Sequence, residues 1–431
     1  MDIRKSLHNL VPVKSFSQPA KMMLIATVID GTIYSGWSLF FNFFVLARGF
    51  DSNFLGLANS LPSLAALIFG IPLGMLSDRI GRRKSMIIGL LLNTSTCLMQ
   101  VLTPSGPMLL VMAFISGLGS TLYSLSQYPL LMKSSNEEHR ALLFSLNYGL
   151  LTLSGAVGSL VAGYMPQLFG GLMGIDPESA LAYGIVLGTC VVLGALSLIP
   201  VGLMREPPDP HKADNQPQAR PSEVLTRPMI WKVVTPNLLI GFGAAITIPY
   251  LNLFFATRFE MPDSTLGVLF SLSALLTGIG CVVGPKMADR LGGKIRTVVI
   301  TQGLSLGFLL LIGFSPVAWL AAIGFLARAV LMNMANPLFA AFALEQFDSR
   351  QQGVANSLMN VTWTLGWSVG PYLSGIIQNQ AGFTPLFVLT GIFYGLSTLA
   401  VWVMFSKTEA QAKAAADLEA SLADTNPIRV S

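Results

Sequence analysis

Apolar residues run along this chain in long blocks separated by short polar joints. Twelve blocks stand out, at 22–47, 54–77, 85–103, 106–132, 142–166, 179–204, 232–256, 264–287, 297–315, 317–344, 354–377 and 383–405. Each matches the run of about 18 or more apolar residues that carries a helix across a bilayer. Gly and Pro recur inside them. Membrane helices tolerate both, because neighbouring helices re-satisfy the freed backbone groups. A closed barrel needs strictly alternating segments of about 10 residues. These blocks are too long and too uniformly apolar for that. The pattern predicts an all-α membrane protein with twelve transmembrane helices.

Composition agrees. Of 431 residues, 52% are hydrophobic and only 11% charged, where a soluble domain carries about 25% charged. So few charges cannot cover the surface of a soluble protein this large. A soluble enzyme, a disordered chain and a coiled coil are excluded.

The net charge of +5 resembles a nucleic-acid footprint until the charges are sorted by position. With a cytoplasmic N-terminus, 23 of the 26 Lys+Arg fall in cytoplasmic segments. They include Arg4, Lys5, Lys14 and Lys21, then Arg79, Arg82, Arg83 and Lys84. Lys286, Arg290, Lys294 and Arg296 follow in the second half. Arg48 and Arg258 lie outside, and Arg328 lies inside a helix. The bias is a topology code that puts both termini in the cytoplasm of a bacterial plasma-membrane protein. No nucleic-acid partner is implied. Residues 1–21 lack the short apolar core and cleavage site of a signal peptide, and read as a basic segment on the inner leaflet. Cys97, Cys190 and Cys281 fall within helices far apart in sequence and read as small apolar residues.

The chain halves around the Pro-rich, charged stretch 205–229, a flexible linker. It divides a six-helix bundle at 22–204 from a second at 230–406, with a cytoplasmic tail at 407–431. The halves match. Phe41-Asn42 aligns with Leu251-Asn252 at an offset of 210, and Gly70 and Gly74 align with Gly280 and Gly284. Asp78-Arg79 aligns with Asp289-Arg290 at 211, and Gly158 and Gly163 with Gly370 and Gly375 at 212. Two parallel repeats, here two pseudo-symmetric six-helix bundles, are a transporter architecture.

The joint between the second and third helices reads Gly74-Met-Leu-Ser-Asp78-Arg79-Ile-Gly81-Arg82-Arg83-Lys84. It resembles the G-x-x-x-D-R-x-G-R-R-K signature of the major facilitator superfamily at the place where that family carries it. Asp289-Arg290-Leu-Gly-Gly-Lys294 is a degenerate copy in the second half. The resemblance covers essentially the whole chain. It implies a secondary active transporter that rocks two bundles about a central site lined by helices 1, 4, 7 and 10.

It also implies that Asp78 faces the positive end of helix 11, and that Arg79, Arg82 and Arg83 latch the cytoplasmic side. Glu137, Glu138 and Asp348 are candidate partners of that latch. The simpler reading of the four basic residues is that they fix orientation. Gly70 and Gly74 form a G-x-x-x-G pair expected to permit close helix contact. Gly293 replaces the Arg82 equivalent, so the second latch is expected to be weaker.

Two ionisable residues lie clearly inside helices, where charge is costly and functional by default. Asp30 is about eight residues into the first helix, roughly 12 Å at about 1.5 Å per residue. Arg328 is near the middle of the tenth. Asp30, Tyr34, Trp37 and Phe41 share one helical face, and so do Arg328, Met332 and Asn336. The alternatives are a structural ion pair or, for Asp30, a residue solvated near the helix end. Gln127, Tyr250, Asn252 and Asn336 join Arg328 and the aromatic face as substrate-binding candidates. Polar residues in membrane helices also serve as interhelical glue, and the matched Asn42 and Asn252 suit that role.

There is no G-x-x-x-x-G-K-[ST], so the chain carries no ATPase motor. His8, His139 and His211 all lie in loops or tails, which leaves Asp30 as the candidate proton carrier. The antiporter signature of the superfamily, G-x-x-x-G-P-x-x-G-G, lacks its proline in the fifth helix at Ser159. It is closer in the eleventh, at Gly366 to Gly375. The arginine usual in helix 4 of proton-coupled members is replaced by Ala113. The expectation is proton-coupled efflux of a small organic solute, with proton-linked uptake as the second choice. A non-translocating receptor is disfavoured by the intact signature. No cofactor, metal or enzymatic constellation is expected, and the chain is expected to act as a monomer.

Overall fold

The computed structural model describes residues 16–135, 137–205 and 221–425. Expectations placed on Arg4, Lys5, Lys14, His8, His211 and most of the linker fall outside these. Among the described residues the chain is helical, with no strand. Twelve helices occupy the expected blocks: α1 (Gln18–Ala47), α2 (Ser52–Ile80), α3 (Arg82–Leu102), α4 (Gly106–Lys133), α5 (Glu137–Met173) and α6 (Ala180–Leu203), then α7 (Pro228–Phe259), α8 (Asp263–Leu291), α9 (Lys294–Phe314), α10 (Ala318–Glu345), α11 (Ser349–Ala381) and α12 (Thr384–Thr425). Eleven are long and apolar enough to cross a membrane, and α11 is the more polar exception. Large apolar side chains such as Ile71, Leu172 and Val282 are exposed, as lipid-facing positions require.

Sequence punctuation sets the ends. Asp51 caps α2 by accepting from the Phe54 N–H at 2.9 Å, and Ser179 caps α6 through Ala182 at 3.2 Å. Two boundaries differ most from the sequence expectation. α5 runs through Pro166 to Met173 instead of stopping at 166, because a proline inside a membrane helix removes only one backbone bond. α12 continues past 405 to Thr425, because the stretch after Lys407 is rich in Ala, the strongest helix former.

Contacts group the chain into two compact units, one of 1–216, 244–278 and 364–386, the other of 217–243, 279–363 and 387–431. The first unit thus holds α1 to α6 together with one end each of α7, α8 and α11 and the first residues of α12. The helix ends next to residues 48–51, 174–179, 260–262 and 382–383 are called distal here. In the first unit they are joined by contacts that obey the sequence repeat. α5 meets α8 where a Cβ on Gly163 would lie 2.7 Å from the Gly267 Cα. α11 meets α2 where a Cβ on Gly375 would lie 3.1 Å from the Gly56 Cα. Both crossings need glycine, because any side chain would strike backbone.

α1 and α7 are joined reciprocally. The Asn42 amide donates to the Pro249 carbonyl at 2.6 Å and to Asn252 Oδ1 at 3.0 Å. The Asn252 amide donates to the Leu39 carbonyl at 2.7 Å. Leu39 and Pro249 are themselves 210 apart, so the two bonds are one contact made twice. The Asn59 amide of α2 donates to Asn42 Oδ1 at 3.0 Å. Pro249 sits in a 3₁₀ turn, Ile248–Tyr250, that interrupts α7 and frees the carbonyl Asn42 uses.

The second unit packs Val233, Val298, Ala335, Phe339, Phe342 and Phe405 into one core. Gly280 and Gly284 of α8 lie against Val330 and Met334 of α10. Their counterparts Gly70 and Gly74 face open space, with nothing within 4 Å of an added Cβ. The expected close contact at that pair is absent.

Interhelical hydrogen bonds in membranes contribute about 0.6 kcal/mol on average and about 1.7 at most. Asn42→Ala and Asn252→Ala should each destabilise the protein by about 1–2 kcal/mol, since each leaves buried polar partners unpaired. The double variant should cost less than the sum. Unfolding in detergent micelles, read as a double-mutant cycle, checks this, and strict additivity would disprove the coupling.

Candidate functional site

Asp30 projects from the middle of α1, half-buried. Both carboxylate oxygens are occupied. The Tyr123 hydroxyl of α4 donates to Oδ2 at 2.5 Å, and the Ser197 hydroxyl of α6 donates to Oδ1 at 2.6 Å. Ser197 ends the 3₁₀ turn Ala195–Ser197 that breaks α6. Nearer the proximal end, the Thr27 hydroxyl donates to Asn147 Oδ1 at 2.6 Å and the Gln127 amide reaches Thr27 at 3.5 Å.

The aromatic face of α1 continues distally. Tyr34 is 72% exposed, Trp37 is half-buried, and Phe41 is buried with its ring stacked on Trp37 at 5.2 Å. Asp30, Tyr34, Trp37, Phe41 and Gln127 all belong to the first unit. Tyr250 and Asn252 belong to it too, but their polar atoms are engaged. The Tyr250 hydroxyl donates to the Pro371 carbonyl at 2.9 Å, and Asn252 is held in the pair with Asn42. Both hold helices together, the alternative that the sequence leaves open beside ligand contact.

Arg328 belongs to the second unit and is 5% exposed. Its guanidinium lies against the Tyr394 hydroxyl of α12. Asn336, two turns along α10, is exposed. Asp30 and Arg328 therefore each have hydroxyl partners within their own unit.

The signature segment turns on glycine. Gly81 has φ of 96° between α2 and α3, and its repeat mate Gly292 has φ of 85° between α8 and α9. Left-handed backbone at that point explains why the glycine recurs in both halves. Asp78 is exposed and pairs with Arg82, which also donates to Ser77 Oγ at 3.1 Å. An exposed i,i+4 pair is worth at most about 1 kcal/mol, so it is easily exchanged. Arg83 donates to the Gly202 carbonyl at the end of α6. Arg79, Asp289 and Arg290 are exposed. Asp348, expected opposite the first-half arginines, pairs with Arg227 at 3.4 Å. The side chains of Glu137 and Glu138 lie outside the described residues.

Position 293 has a role the sequence did not reveal. The Glu409 carboxylate accepts from the Ile295 N–H at 2.8 Å and the Arg296 N–H at 3.0 Å, capping α9. A Cβ on Gly293 would strike that carboxylate. The extension of α12 thus occupies the place of the missing arginine. Tyr123, Ser197, Tyr394 and Glu409 all escaped sequence reasoning. Only Tyr123 carried a signal, four residues before Gln127 on one face of α4.

The sequence profile of the Major Facilitator Superfamily matches residues 23–371 and 238–430. The chain belongs to that family, and it is an integral membrane transport protein. It is 24% identical over 367 residues to an uncharacterised transporter of the family, YhhS, from Escherichia coli, covering 82% of this chain and 84% of that one. It is 30% identical over 193 residues to sugar efflux transporter A of Dickeya chrysanthemi, covering 42% of this chain and 47% of that protein. Among solved structures, the nucleoside transporter NupG aligns with a TM-score of 0.69 at 14% identity, over 90% of this chain and 98% of that one. A bacterial homologue of the human lysosomal transporter Spinster, inward-facing and occupied, aligns with a TM-score of 0.73 at 14% identity, over 89% and 95%. Both share the fold.

Replacing Glu409 with Ala should speed exchange of the Ile295 and Arg296 amides by about five- to tenfold, the loss of a cap worth about 1 kcal/mol. Gly293→Val should do the same by displacing the carboxylate. Hydrogen exchange read by mass spectrometry checks both, and unchanged rates would show that the cap contributes nothing.

Proposed function

We propose that this protein is a secondary active transporter that exports a small organic solute in exchange for protons, by alternating access. The carrying observation is Asp30, a carboxylate inside a membrane helix bound at both oxygens by hydroxyls. A hydroxyl donates to an ionised carboxylate and accepts from a protonated one. Tyr123 and Ser197 therefore satisfy Asp30 in both states, which a proton carrier requires. Proton exchange supplies the driving force that the missing nucleotide motif cannot.

In this reading Tyr34, Trp37 and Phe41 offer an aromatic surface to the solute, with Gln127 beside them. Arg328 and Asn336 are the solute-binding residues of the second unit. The sugar-efflux relative supports export. The proline missing at Ser159 and the Ala113 in place of an arginine weigh against standard drug–proton antiport. Uptake of a small anionic nutrient with protons is the second reading, favoured by Arg328. The distribution of basic residues supports cytoplasmic termini in the bacterial inner membrane, with the distal ends outside and the protein acting as a monomer. The segment Asp78 to Lys84 serves as a gate whose Asp78–Arg82 pair exchanges partners during the cycle.

Two variants test this in proteoliposomes, with a solute found by thermal-shift screening. Asp30→Asn should abolish the response of transport to a pH gradient, and retained proton coupling refutes the carrier assignment. Asp78→Asn should lower transport while leaving expression and orientation intact. Undiminished flux would remove the gate.

A further inference from the structure

Arg328 is the one basic side chain of the second unit in the middle of a membrane helix among the described residues. It lies ten residues from the start of α10 and seventeen from Glu345 at its end, roughly 25 Å along the helix at about 1.5 Å per residue. Its guanidinium carries several N–H donors and accepts nothing. The Tyr394 hydroxyl beside it has room for few of them. The Arg328 Nε is buried with no hydrogen-bond acceptor.

Among the carboxylates of the unit whose side chains are described, none is placed to help. Glu345 pairs with Lys294, Asp348 pairs with Arg227, and Glu409 caps α9. Glu223 and Asp289 lie at helix ends. A buried guanidinium without an anion is costly in a bilayer. The edge formed by Nε and a terminal nitrogen is a fork that fits the two oxygens of a carboxylate.

We infer that Arg328, positioned by Tyr394, binds the carboxylate of an organic monoanion. This rests on reading Arg328 as a solute-binding residue and names the class of that solute. One guanidinium without a second mid-helix cation balances one negative charge. That selects a monocarboxylate over a phosphomonoester, which carries about −1.5 to −2 near neutrality. Phe325 and Met332, one turn to either side on α10, are buried and apolar, and suit the body of such a molecule.

The test uses the purified full-length protein in detergent. Benzoate and butyrate are the probes, benzamide and butyramide their neutral counterparts, and phenyl phosphate the dianion. The carboxylates should raise the thermal unfolding midpoint and the amides should not, with phenyl phosphate weaker. Arg328→Gln should remove the effect. Arg328→Lys, which keeps the charge and loses the fork, should weaken carboxylate binding by about tenfold. Tyr394→Phe should narrow the preference for carboxylate over amide, a ratio that a purely structural loss would leave unchanged. If Arg328→Gln fails to fold, the Arg328→Lys and Tyr394→Phe arms decide. Amides that stabilise as well as carboxylates, dependent on Arg328, would overturn the anion assignment and leave Arg328 as a solute residue. Carboxylates that stabilise Arg328→Gln equally would overturn both. Absence of any carboxylate effect on the folded wild type would overturn the inference.

Discussion

Inside a bilayer, apolar surface does not tell one helix from another, because lipid is as apolar as leucine. Helix partners must be chosen by close approach and by hydrogen bonds. Here the choice falls on a small set of positions in the first unit. Gly163 on Gly267 and Gly375 on Gly56 let backbones touch, while Asn42 and Asn252 exchange amide bonds with the facing helix. Each contact occurs twice, once in each direction between the sequence halves. The rest of the architecture hangs from these crossings, because they decide which ends of α7, α8 and α11 group with α1 to α6.

The same constraint governs polar and charged groups. Asp30, Tyr123 and Ser197 satisfy one another. The break in α6 has a local use, since it ends on the serine that reaches Asp30. The break in α7 has a matching one, freeing the Pro249 carbonyl for Asn42. Irregular backbone at membrane depth is tolerated where it is buried in protein, and the break in α7 offers a backbone carbonyl that a regular helix would not.

Much of this is legible in the chain. The twelve apolar blocks mark the twelve helices, and the fixed offset near 210 marks pairs such as Asn42 with Asn252 before any contact is seen. The matched glycines at 81 and 292 announce a shared left-handed turn. What the sequence hides is tertiary. Nothing local marks Ser197 or Tyr394 as partners of buried charges more than sixty residues away. Gly70 and Gly74 read as a packing pair, yet only their counterparts on α8 find a neighbour. Gly293 reads as a lost arginine. Its purpose emerges only when Glu409, more than a hundred residues later, arrives at the N-terminus of α9.

That cap changes how the end of the chain is to be regarded. Residues after Lys407 look like a dispensable polar tail, the natural place to shorten a membrane protein or attach a tag. Glu409 makes the first turn beyond the last span part of the folded body. A fusion joined at 406 would deliver a protein whose α9 begins with bare N–H groups, whereas one joined beyond Thr425 leaves the described helices whole. The practical border of this domain therefore lies in the polar stretch after the last span, past the point where hydropathy says the membrane ends.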